Sequence, residues 1–87
     1  MKFKEAKKYL DKGLKITDTY RNGYFEKVNN ILIRSVFYED IGKISCALEK
    51  DFNEIPMDDA EGFEIENRTD NEIMDFVKSK IKKNNEK

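Results

Sequence analysis

The 87-residue chain has no histidine, no tryptophan, one cysteine and one proline. Without histidine there is no Ser-His-Asp triad, no Cys-His pair and no zinc centre of the usual kind. The single thiol, Cys46, cannot close an internal disulfide, which fits a reducing compartment. Apolar residues on either side of it in a predicted strand make it a buried structural thiol rather than a nucleophile. The four glycines are isolated, at 13, 23, 42 and 62, so no glycine-rich phosphate loop exists. No apolar run approaches the roughly 20 residues of a membrane span, and the opening residues lack a signal-peptide apolar region. The expectation is a cytoplasmic protein without a membrane partner.

Charge is abundant but balanced. Charged residues make up 40% of the chain and the formal net charge is −1, so direct nucleic-acid binding is not expected. Its distribution is uneven: residues 39–66 hold ten Asp or Glu against Lys43 and Lys50. Within that stretch Asp58, Asp59 and Glu61 lack the alternating spacing of a calcium loop. They are therefore assigned to an acidic turn, and no metal or cofactor is expected. With apolar residues at 38%, a chain of this length buries only about 60–65% of its unfolded surface. Homo-oligomerisation is a common way for so small a domain to gain burial.

The apolar spacing gives an α+β reading: an N-terminal helix, a twisted antiparallel sheet of about four to five strands, and a C-terminal amphipathic helix. Phe3, Ala6, Tyr9 and Leu10 recur at helical spacing over residues 2–12, and Gly13 follows as a helix terminator. Residues 14–17 alternate as a short strand, and 18–23 form a loop. Tyr24 to Val28 and Ile31 to Tyr38 make a hairpin about Asn29-Asn30, two residues that tolerate positive φ. Ile31–Tyr38, the most apolar run, is expected to be the central and most buried strand. After a turn at 39–42, Lys43 to Leu48 places Ile44, Cys46 and Leu48 on one face.

Pro56 precedes a predicted helical turn over Met57 to Glu61, and Gly62 to Glu66 alternates as an edge strand. Thr69 and Glu72 form a capping box for the last helix, whose stripe is Ile73, Phe76, Val77 and Ile81. One domain is expected over residues 1–83, its helices packed against one sheet face, with 84–87 as a frayed tail.

Nothing in this inventory suggests catalysis, so a non-enzymatic protein is expected. Ten residues are Phe or Tyr, and Tyr20, Tyr24, Phe25, Phe37 and Tyr38 gather in or beside the loop and central strands. Most fill the core, while one or two can serve as stacking plates for a planar group. Arg21 and Arg34 offer donors for phosphate or carboxylate. The loop segment Arg21-Asn22-Gly23 is the most site-like by composition.

The opening also fits the pattern Phe-x-x-Ala-x-x-x-Leu-x-x-Gly-x-x-Ile, with Phe3, Ala6, Leu10, Gly13 and Ile16 in register. In this it resembles the second family of Thoeris anti-defence proteins, small phage-encoded sponges for nucleotide signals. Asp58-Asp59-Ala60-Glu61-Gly62-Phe63-Glu64-Ile65 is similar to that family's closing acidic segment, one residue shorter and with Phe63 in place of a tryptophan. The resemblance covers roughly residues 2–66; the terminal helix lies beyond it. The family's tryptophan after the first strand is replaced here by the Tyr20-Arg21-Asn22-Gly23 segment. The resemblance implies a symmetric oligomer that sequesters a cyclic nucleotide, such as a cyclic ADP-ribose isomer, without cleaving it. In that reading Tyr20 and Phe63 stack on a base, while Arg21, Asn22 and Arg34 meet phosphates or ribose. The alternative is a protein-binding inhibitor whose acidic stretch 49–66, with Asp58, Asp59 and Glu61, covers a basic nucleic-acid groove on a host protein.

Overall fold

A computed structural model describes residues 1–48 and 56–85, with side chains through residue 80. The architecture is α+β: helix α1 (Phe3–Asp11), strands β1 (Ile16–Thr17), β2 (Gly23–Val28), β3 (Ile31–Tyr38), β4 (Gly42–Ala47) and β5 (Glu64–Ile65), and helix α2 (Asp70–Asn85). The five strands form one antiparallel sheet in the order β4-β3-β2-β1-β5.

Each helix is set by local chemistry. Gly13 lies at φ +86°, the left-handed conformation that ends α1. At the other end Lys2 supplies no side-chain cap. Instead the Phe3 and Lys4 N–H groups donate to the carbonyls of Ala60 and Asp58, at 2.8 and 3.1 Å. The acidic segment thus caps α1 through its backbone. It forms a single tight turn, closed by the Ala60 N–H on the Met57 carbonyl at 2.9 Å, rather than a helical turn. For α2 the capping box is complete: the Thr69 N–H donates to Glu72 Oε1 at 3.0 Å, and the Glu72 N–H to Thr69 Oγ1 at 3.2 Å. The helix continues to Asn85, two residues into the segment expected to fray. The Ile81 side chain of the expected stripe, and residues 49–55 of the acidic stretch, lie outside what is described.

Asn29 and Asn30, at φ 50° and 64°, form the tight turn of the β2–β3 hairpin. Two expectations about the sheet need correction. β2, not β3, is its middle strand, because β1 and β5 add beyond it; Ile31 and Tyr38, at the ends of β3, are exposed. The helices also take opposite faces. α1 brings Phe3, Ala6 and Leu10 onto Ile16, Phe25, Leu32 and Phe63. α2 brings Ile73 and Val77 onto Tyr24 and Phe37. Since Tyr24 and Phe25 are consecutive in an extended strand, their side chains leave from opposite sides.

Polar contacts tie the second layer down. The Tyr24 hydroxyl donates to Asp70 Oδ1 at 3.1 Å, and Lys43 Nζ donates to Asp70 Oδ2 at 3.2 Å. Hydrogen bonds to Asp70 and Tyr24 hold the Lys43 ammonium above its ordinary range. Before α2, the buried Glu66 carboxylate accepts from the Arg68 backbone N–H at 2.9 Å, Nε at 2.8 Å and Nη2 at 2.7 Å. Burial pushes the Glu66 carboxyl up, and the Arg68 hydrogen bonds and charge outweigh it, so the group is held below the usual carboxylate range.

Candidate ligand-binding site

The loop between β1 and β2 is tightly organised. Thr17 Oγ1 donates to the Gly23 carbonyl at 2.8 Å and closes its base. The Asp18 carboxylate accepts from the Tyr20 and Arg21 N–H groups, at 3.0 and 3.3 Å, an Asx-type turn that carries Arg21 to φ 58°. Arg68 Nη2 donates to the Arg21 carbonyl at 2.7 Å. Gly23 can only be glycine here, because a Cβ would overlap the Ser35 carbonyl oxygen across the strand pair.

This loop brings some of the expected site residues together and separates others. Arg34 pairs in register with Phe25 on one side and Cys46 on the other, on the sheet face that carries α1. Its guanidinium lies 5.5 Å from the Phe25 ring centroid, and Nη2 is 3.7 Å from Asp18 Oδ2. α1 covers the β1, β2 and β5 side of that face, and Val36, Tyr38, Ile44 and Cys46 lie outside its core. A groove of about 410 Å³ results, lined by Asn22, Arg34, Val36, Tyr38, Ile44 and Cys46. Its size falls within the usual range for small-molecule sites. Asn22 reaches a second groove on the α2 side, about 470 Å³, with Phe37, Tyr38, Glu39, Asp40, Val77 and Lys80.

The remaining expected residues are placed elsewhere. Phe63 is a core residue, its ring centroid 5.0 Å from that of Phe3 and 6.1 Å from that of Phe25, with no face left for a base. Arg21 is engaged in an ion pair with Glu64 at 3.2 Å, and Tyr20 stands 66% exposed, with no ring neighbour among the described residues. Neither lines either groove. Asp58 binds Lys7 at 2.9 Å and Glu61 lies 4.0 Å from the N-terminal ammonium, so two of the three acids are engaged within the fold; Asp59 is exposed.

Val36, Ile44 and Cys46 line the groove without having been singled out from the sequence, and Tyr38 is there one of several aromatics. Their signal was the period-two run Arg34, Val36, Tyr38, which shares one face with Ile44 and Cys46. Cys46 itself is exposed rather than buried, because β4 is an edge strand and α1 does not extend over it.

Among the described residues no group of His, Cys, Asp or Glu is placed to hold a metal, and no helix is long and apolar enough to cross a membrane. No protein-family model, no curated protein and no solved structure matches this chain.

Proposed function

We propose that this chain is a non-catalytic binding protein that sequesters a small nucleotide signal in the cytosol of a phage-infected cell. The observation that carries the reading is the meeting of Arg34, Asn22 and Tyr38 in one groove of about 410 Å³. A nucleotide needs a cation for phosphate, a flat surface for the base and polar groups for ribose. Arg34 supplies a planar donor fork for phosphate oxygens. The Tyr38 ring, 44% exposed, supplies the stacking surface, and the Asn22 amide suits ribose or a base edge. Val36 and Ile44 give the apolar wall, and ligand phosphate would take the place of Asp18 beside Arg34. Stacking thus passes from Tyr20 and Phe63 to Tyr38, while Asn22 and Arg34 keep their expected roles.

The test is a thermal melt against a panel of cyclic nucleotides, ADP-ribose and cyclic ADP-ribose isomers. A ligand at a thousandfold excess over its dissociation constant adds about 4 kcal/mol, a shift of many degrees in so small a domain. A shift with one member of the panel is expected. A flat response across the whole panel, from folded protein, overturns the reading for this ligand class.

A further inference from the structure

The two edges of the sheet are built differently. β5 is two residues long and bears the exposed Glu64, with Glu66 just beyond it. Short, charged strands of this kind resist pairing with another chain. β4 is six residues long, Gly42–Ala47, with no proline and a single charge at Lys43. Among the described residues its only sheet neighbour is β3.

The outward hydrogen-bonding groups of β4 follow from the register. Leu48 N–H donates to the Leu32 carbonyl at 2.9 Å, and Ile33 stands opposite Ala47, so residues 42, 44, 46 and 48 turn their backbone groups toward β3. The alternation of an antiparallel ladder then presents the N–H and C=O of Lys43, Ser45 and Ala47 outward. These three positions are evenly spaced and centred on Ser45, so the edge is complementary to itself under a two-fold axis.

We propose that the occupant of this edge is β4 of a second copy of the chain, paired antiparallel about Ser45, which joins two five-stranded sheets into one. Ser45 exchanges backbone hydrogen bonds with Ser45 of the second copy, and Lys43 does so with Ala47 in both directions. Lys43, already held by Asp70 of its own chain, meets a small neutral residue rather than a like charge. On the α1 side Ile44 meets Cys46 across the junction, and both are exposed in the single chain. Leu48 lies at the end of the same strip, 36% exposed. Ile44 and Cys46 also line the groove, but the pairing rests on the backbone of the edge and needs no ligand in the groove.

Sedimentation equilibrium on the ligand-free chain tests this, with three substitutions at the exposed Ala47. Ala47→Pro removes an outward N–H without touching a bond to β3, and a monomer is expected where the parent chain is a dimer. Ala47→Lys sets two like pairs against Lys43, and a dissociation constant about threefold to tenfold weaker is expected. Ala47→Glu creates two opposite-charge pairs, and a similar tightening is expected. If Ala47→Pro fails to fold, the opposite responses of the Lys and Glu variants still decide. A parent chain that stays monomeric at several hundred micromolar overturns the proposal. So does a dimer that responds equally to Lys and Glu.

Discussion

Tyr24 and Phe25 are consecutive in β2 and belong to two separate cores. The Phe25 ring lies 6.1 Å from that of Phe3, on the α1 face, while the Tyr24 ring lies 5.9 Å from that of Phe37, on the α2 face. The sheet is therefore a shared wall, and damage to either layer exposes the other through the same strand.

The two residues are expected to differ sharply in cost. Phe25→Ala opens a cavity beneath α1 and should destabilise by about 3–5 kcal/mol, a large share of the stability of a domain of this size. Tyr24→Phe keeps the ring and loses only the hydroxyl bond to Asp70, at about 1 kcal/mol. Urea unfolding of both variants measures the difference. Equal losses would contradict the close packing of the Phe25 ring beneath α1.

Acid sensitivity should trace to Glu66. Its carboxyl is held below the usual range when folded, so its contribution is fully present above the unfolded value of about 4.3. That contribution fades as the pH falls through the lower, folded value. Glu66→Gln weakens the bonds from Arg68 and should cost about 1–3 kcal/mol at neutral pH. Urea midpoints from pH 7 to pH 3 should show the gap between parent and variant narrowing in acid. A gap that stays constant would remove Glu66 from the acid transition.

The capping box at the start of α2 should be worth about 1 kcal/mol. Thr69→Ala removes the acceptor for the Glu72 N–H, while Thr69→Ser keeps it. The loss belongs to α2 and to the Tyr24 core beneath it, and hydrogen exchange would show it first in that helix.

Local rules made most of the fold readable. The Asn29-Asn30 turn, the limits of Ile31–Tyr38 and the Thr69–Glu72 pair each follow from chemistry within a few residues. What local pattern does not carry is the choice of face. Tyr24 and Phe25, two aromatics in succession, signal a strand covered on both sides, but not which helix covers which. Ile44, Cys46 and Leu48 alternate as a buried face would, and alternation reports only that a face can be covered. Of the residues expected at a site, Asn22 and Arg34 do line the groove, and loop asparagines and rare arginines draw notice in a sequence. Phe63 is expected to stack only because it stands where the resembled family has a tryptophan, and local pattern does not show that α1 closes over it. Tyr38 was obscured among aromatics that all had equal claim to the core.

The measurement that bears most directly on the proposed function is calorimetric titration of cyclic ADP-ribose isomers and ADP-ribose into three proteins: the parent chain, Arg34→Ala and the double variant Asp59→Lys with Glu61→Lys. Removing the guanidinium should weaken binding about tenfold to hundredfold, the worth of a charge-assisted contact to phosphate. Reversing the two exposed acids, on a different surface, should leave the affinity within about twofold. Binding that survives Arg34→Ala unchanged, or that is lost with Asp59 and Glu61 instead, would contradict the groove as the site.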